Sequence, residues 1–336
     1  MDAENPPPET PARGIEPVRF IISRDQRRIL YAIAAAVVLF AIGGAIRPGF
    51  SSPSGIGAVL TIACFVGLVA AGQTFVILIG GIDLSVPWTL NGAAILMMSS
   101  AASSDDRLPL ALAVTLGMGA VVGLCNGLGI AVFGVPAVVM TLAMNGVLEG
   151  LTLGLSGGLT CPTCAAYAPP LLQAAARGAM LGIPSILYLW FAIILIASFV
   201  LSFTTFGRSA YAIGNNARAS FLAGVDVTRT TIVLYMLSGM FAALAGIMLL
   251  GFGSQASLGL GDPYLFQSIA AAVIGGVYIA GGRGHYVGAV AGAITLVALV
   301  SVLMCKGPCT AATICCSCAE RPAPKYCFTP ASLILR

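Results

Sequence analysis

Apolar runs of membrane-spanning length, parted by short polar or glycine-proline breaks, set the pattern of this chain. A span needs about 20 predominantly apolar residues. The pattern predicts spans at Ile29–Ile46, Ile56–Ile79, from a break at Gly80–Pro87 to about Met98, Leu110–Val132 and Val135–Leu155. It continues with Ile183–Phe203, Thr231–Phe252, Leu265–Ala280 and His285–Leu303, about nine in all. Ser99–Leu108, with Asp105 and Asp106, reads as an external loop. Gly157–Gly182 reads as a longer one, too broken by Pro162, Pro169 and Pro170 to span.

Residues 1–28 are a polar tail carrying Arg13, Arg19, Arg24, Arg27 and Arg28 ahead of the first run. Positive loops stay inside, so the N-terminus is expected to be cytoplasmic. Crossing parity from that start puts residues 204–230 inside as well, where Arg208, Arg218 and Arg229 fit the same rule. Nothing before the first span reads as a cleavable signal, since Met1–Glu16 is rich in proline and acids.

Composition agrees with the pattern. Of 336 residues, 58% are hydrophobic and only 8% charged, against about 25% charged in soluble domains. Between Ile29 and Met304 the ionisable set is seven arginines, six acids and His285, with no lysine. The fold class expected is all-α, a polytopic helical membrane protein whose outer solvent is lipid. The net charge of +4 is spread over loops and ends and suggests no nucleic-acid partner. Small residues recur at four-residue spacing in three places: Gly119, Gly123 and Gly127; Gly146, Gly150 and Gly154; Gly288 and Gly292. Such stripes let helix backbones approach closely, and bundle packing is their expected role.

The break is chemically the richest point within the spans. Gly80 and Gly81, then Asp83, Ser85 and Pro87, interrupt an apolar run that resumes at Trp88. Broken backbone at membrane depth is tolerated only when buried in protein or lining a cavity. Gly80, Gly81, Asp83, Ser85, Asn91 and Asn145 are therefore candidates for a translocation pathway. Asp83 has a second reading as a helix cap, with Ser85 able to serve the same end and Pro87 suited to a first turn. Gln73, Asn126 and Glu149 complete the polar set within the spans.

Two chemistries are disfavoured. Neither lysine, Lys306 or Lys325, stands in a glycine frame before Ser or Thr, so the phosphate-cradling loop of many ATPases is absent. A single His and no His/Glu pair argue against a zinc enzyme. No cofactor is expected on this chain, which reads as a non-enzyme.

The stretch Phe206–Val227 contains a short helix-like segment, Ala217–Ala223, between Gly214 and Gly224. Lying on the cytoplasmic side, it offers either a docking surface or an interfacial helix.

Four blocks then resemble the permease subunit of ribose-type ATP-binding-cassette sugar importers. They are Gly80-Gly-Ile-Asp-Leu-Ser-Val, Gly134-Val-Pro-Ala-Val-Val-Met-Thr-Leu, the Gly207–Val227 loop, and Ile269-Ala-Ala-Ala-Val-Ile-Gly-Gly with Gly281-Gly-Arg-Gly. They occur in family order across Ile29–Met304. The resemblance implies a multi-pass protein of the bacterial inner membrane that translocates a monosaccharide. Its implied partners are a second permease copy, cytoplasmic ATPase subunits that consume the ATP, and a periplasmic sugar-binding protein. It also implies that Gly207, Arg208, Tyr211, Gly214, Asn216, Ala217, Arg218, Leu222 and Gly224 belong to the segment that couples to the ATPase. The family often has acidic residues where Ala217 and Arg218 stand, and a basic residue at Glu149. Other readings are a stand-alone secondary transporter using Asp83 or Glu149, and a structural membrane protein without a pathway.

Six of ten cysteines fall after Met304: Cys305, Cys309, Cys315, Cys316, Cys318 and Cys327. The family would continue there with a tenth span, whereas residues 305–336 turn abruptly to Cys, Pro, Ala and Thr. Translation out of frame after about Met304 explains the change; a metal or disulfide cluster is the alternative, although its spacing fits no standard two-by-two pattern. Cys161 and Cys164 form an external C-x-x-C that an oxidising compartment would permit to close.

Overall fold

The computed structural model describes residues 24–158 and 167–305. The basic residues before Arg24, the Cys161/Cys164 pair and the tail beyond Cys305 lie outside them. Twelve helices account for nearly all of what is described: α1 (Arg24–Ile46), α2 (Pro53–Leu78), α3 (Val86–Ala101), α4 (Leu108–Ala131), α5 (Ala137–Ser156), α6 (Pro170–Arg177), α7 (Ser185–Phe203), α8 (Thr205–Asn215), α9 (Ala217–Leu222), α10 (Val227–Gly253), α11 (Asp262–Ile274) and α12 (Tyr286–Cys305). Two paired strands of two residues each, Ala179–Met180 and Ile183–Pro184, sit between α6 and α7. The protein is an all-α polytopic membrane protein.

Seven of these helices are long and apolar enough to cross a bilayer: α1, α2, α4, α5, α7, α10 and α12. Two of the nine expected spans are shorter. α3 has 16 residues and α11 has 13; at about 1.5 Å per residue they are roughly 24 and 20 Å long, against about 30 Å of hydrocarbon. α11 was expected to run from Leu265 to Ala280, but Gly275 and Gly276 end it early. Gly276 takes φ +91°, which a helix cannot use.

α2 and α10 form the centre. Nearly every residue from Ala63 to Leu78 is buried, whichever way it points, the mark of a helix surrounded by others. α10 packs most extensively on α4, then on α2 and α3, while α12 is held between α1, α11 and α2. The first glycine stripe makes the α4–α10 contact: Gly119 lies on the Gly239 backbone, Gly123 on Tyr235 and Met236, and Gly127 on Ile232. Gly288 and Gly292 do the same for α12 against Ala271 of α11 and Gly275 just past its end. The third stripe, on α5, meets no described atom: a Cβ at Gly146, Gly150 or Gly154 would enter open space.

Candidate functional site

The break between α2 and α3 begins as a Schellman ending. Gly80 turns left-handed at φ +78°, its amide donates to the Ile77 carbonyl at 2.9 Å, and the Gly81 amide donates to Val76 at 3.1 Å. The next residues leave their backbone groups without helical partners, and three side chains from α2 and α5, with Asp83 of the break itself, supply them. Gln73 on α2 clamps Asp83 from both sides: its Nε2 donates to the Asp83 carbonyl and its Oε1 accepts the Asp83 amide at 3.4 Å. Thr141 on α5 donates to the Ile82 carbonyl at 3.3 Å, and Asn145 accepts the Trp88 amide at 3.4 Å.

The Asp83 carboxylate turns inward. Its Oδ1 accepts the Ser85 amide at 3.0 Å and the Ser85 hydroxyl at 2.6 Å; its Oδ2 accepts the Ser238 hydroxyl of α10 at 2.7 Å. Asn126 of α4 donates to Ser85 Oγ at 2.9 Å. Asp83 is 1% exposed, and Gln73, Ser85, Asn126 and Ser238 are buried with it. The carboxylate thus closes a turn at the head of α3 and ties it to α10. Two further polar atoms in this layer, Asn126 Oδ1 and Tyr235 Oη, have no partner among the described residues.

The expected pathway residues fall into two groups. Asp83, Ser85, Gly81 and Asn91 are interior, with Asn91 Oδ1 accepting the Gly261 amide at 2.7 Å to seat the start of α11. Gly80 is exposed and lies against the Ala280 carbonyl of the α11–α12 loop, and Asn145 on α5 is half-buried, so neither is interior. Ser238 and Tyr235 were not singled out from sequence. A serine beside Gly239 in an otherwise apolar span was the available signal.

The expected coupling residues form two capped helices rather than one. α8 starts under the Thr204 side chain, which accepts the Gly207 amide at 3.2 Å, and buries Gly207, Ala210 and Ile213 at three-residue spacing. α9 starts under Asn216, which accepts the Ala219 amide at 3.0 Å, and ends at Gly224 with φ +84°. Asp226 then accepts the Arg229 amide at 2.9 Å to begin α10, and pairs with the Arg229 side chain at 3.0 Å. On α9 only Ser220 is buried; Ala217 and Arg218 are exposed, as are Phe221 at 68% and Leu222 at 79%. Phe221 is a residue the sequence reading passed over although it adjoins Leu222. Arg208 is exposed, whereas Tyr211 and Gly214 of α8 turn toward the loop joining α11 to α12. In that loop His285 accepts the Val287 amide on Nδ1 at 3.3 Å and meets Ser202 Oγ through Nε2 at 3.0 Å. Partial burial lowers its pKa and favours this neutral ring.

Among the described residues no cluster of His, Cys, Asp or Glu has the makings of a metal site. The described site is a broken helix held by hydrogen bonds, with the exposed surface of α9 as a second feature, and both fall in blocks that carry the resemblance to permeases.

Comparison with known proteins agrees. Residues 55–308 match the family model described as "Branched-chain amino acid transport system / permease component". The chain is 33% identical over 269 residues to the ribose import permease protein RbsC of Escherichia coli K12, covering 79% of this chain and 82% of that one. It is 37% identical over 266 residues to RbsC of Bacillus subtilis 168, covering 77% and 80%. It is 33% identical over 283 residues to the autoinducer 2 import system permease protein LsrC of Shigella flexneri, covering 83% and 80%. No solved structure matches.

Proposed function

The chain belongs to this family of transport-system permeases, and from that premise we propose that it is the membrane subunit of an ATP-binding-cassette importer carrying a ribose-like monosaccharide. The observation that carries the reading is α9: a six-residue helix, capped at both ends, that offers Phe221, Leu222 and Arg218 to a partner. An apolar pair has no reason to be held outward on so short a helix unless something covers it.

In this reading the α8–α9 side is cytoplasmic, as is the N-terminus, and a cytoplasmic ATPase docks on α9. ATP enters only as motion through that contact. A second permease copy packs beside α5, whose open glycine stripe and exposed Glu149 supply an unfilled face; a carboxylate within a span is costly against lipid. The sugar passes between the copies along the open side of the break, past Gly80 and Asn145, after delivery by a periplasmic binding protein. The family description names amino acids, and the relatives named above import ribose and autoinducer 2. A neutral polyol fits the break better than a zwitterion, because its one carboxylate is fully engaged by Ser85 and Ser238.

The test is purification of the tagged chain from native membranes. A cassette ATPase should co-purify, and Phe221→Asp with Leu222→Asp should release it while the chain stays folded. Reconstituted with that ATPase and the binding protein, vesicles should accumulate labelled ribose only when ATP is present. Uptake without any ATPase would overturn the reading. It would favour a secondary transporter using Glu149, which Glu149→Gln would then silence.

A further inference from the structure

At the end of the bundle that carries α8 and α9, three backbone segments meet with no side chain between them. The Leu78 carbonyl, the last of α2, accepts the Gly282 amide of the α11–α12 loop at 2.8 Å. Gly214 of α8 lies against both, so close that a Cβ there would overlap the Leu78 carbonyl oxygen and the Gly282 nitrogen. A Cβ on Gly281 would stand 2.8 Å from the Gly80 nitrogen, 3.0 Å from the Leu78 oxygen and 3.1 Å from the Gly214 oxygen. Gly281, Gly282 and Gly284 take φ of 88°, 76° and 122°, so glycine is required there by conformation as well as by space.

Two side chains of α8 fasten the junction from outside. Tyr211 Oη donates to the Gly284 carbonyl at 2.7 Å, and Asn215 Nδ2 donates to the Gly282 carbonyl at 3.3 Å. Gly81, Gly281 and Gly282 are buried, while Asn216 to Ala219 and Phe221 to Gly224, immediately beyond, are exposed.

A long side chain at a contact yields by changing rotamer. Backbone against backbone has no such slack, and close-packed interiors pass strain on rather than absorb it. From Leu78 the chain reaches Asp83 within a few residues, and from Gly282 it leads back to the end of the half-length helix α11. We propose that this glycine junction is the joint of the transporter. Gly214, Gly282 and Tyr211 are positioning residues that make α8 move as one body with the end of α2 and the α11–α12 loop. A push received on α9 therefore arrives at the Asp83 break and at α11 without loss. The proposal deepens the coupling role assigned to α9 and rests on it.

The experiment compares substrate carried per ATP hydrolysed in vesicles holding the full complex. Tyr211→Phe keeps the ring and deletes the hydroxyl bond to Gly284; Gly214→Ala and Gly282→Ala force the segments apart. The expected result is that the ATPase still co-purifies and still hydrolyses ATP, while sugar carried per ATP falls by roughly fivefold or more in the glycine variants. The same ratio should fall in Tyr211→Phe, to a lesser degree. Tyr211→Phe guards against failure of the glycine variants to fold. An unchanged ratio in Tyr211→Phe together with whichever glycine variant folds would overturn the joint, because a purely structural role lowers both activities in step. Failure of the coupling role is distinguished separately, by an ATPase that stays attached after Phe221→Asp with Leu222→Asp.

Discussion

α4 and α5 carry the same device, three glycines at four-residue spacing, and put it to opposite uses. On α4 the stripe is filled by the backbone of α10, with Gly123 against Tyr235 and Met236. On α5 no described residue approaches Gly146, Gly150 or Gly154. Each helix also lends one asparagine to the broken helix: Asn126 is fully buried and donates to Ser85 at 2.9 Å, whereas Asn145 is half-buried and accepts from Trp88 at 3.4 Å. A small-residue stripe therefore marks a surface prepared for close approach, and says nothing about whether the approaching backbone belongs to the same chain.

Substitutions in pairs break or sharpen that contrast. Gly123→Leu should have the largest effect, costing more than about 3 kcal/mol because the added side chain has only backbone to displace; loss of the monodisperse species in detergent chromatography is the readout. Gly150→Leu should leave monomer stability within about 0.5 kcal/mol, yet abolish chemical cross-linking between copies of the chain and, with it, uptake. A Gly150→Leu chain that loses its fold would show that the α5 face is filled internally. Asn126→Ala should cost about 1 kcal/mol in thermal stability, since one interhelical bond is lost while the unpaired Oδ1 goes with it. Asn145→Ala should be the mildest, below about 0.5 kcal/mol in the same melt; a larger cost than for Asn126→Ala would reverse the ranking of the two faces.

Much of the architecture was legible because lipid makes apolar length nearly decisive. α5, expected at Val135–Leu155, spans Ala137–Ser156, and α7, expected at Ile183–Phe203, spans Ser185–Phe203. The break at Gly80 was legible for the same reason. α8 was not, since its glycines at 207 and 214 read as loop; the burial of Gly207, Ala210 and Ile213 at three-residue steps is what makes it a helix. Which way Asp83 faces was illegible in principle, because its partner Ser238 lies 155 residues away. The three glycine stripes look alike in sequence for a related reason: a stripe encodes an approach distance, not a partner.

That separation of 155 residues between Asp83 and Ser238 also has a consequence for biogenesis. α3 is short, follows a buried carboxylate three residues upstream, and carries Asn91, so it is a poor membrane-insertion signal taken alone. Its acid finds its α10 hydroxyl only after α10 has been synthesised, which at ribosomal speed takes roughly ten to thirty seconds. During that interval only Ser85, two residues further along, can engage the carboxylate, and the turn waits unlatched for its α10 partner.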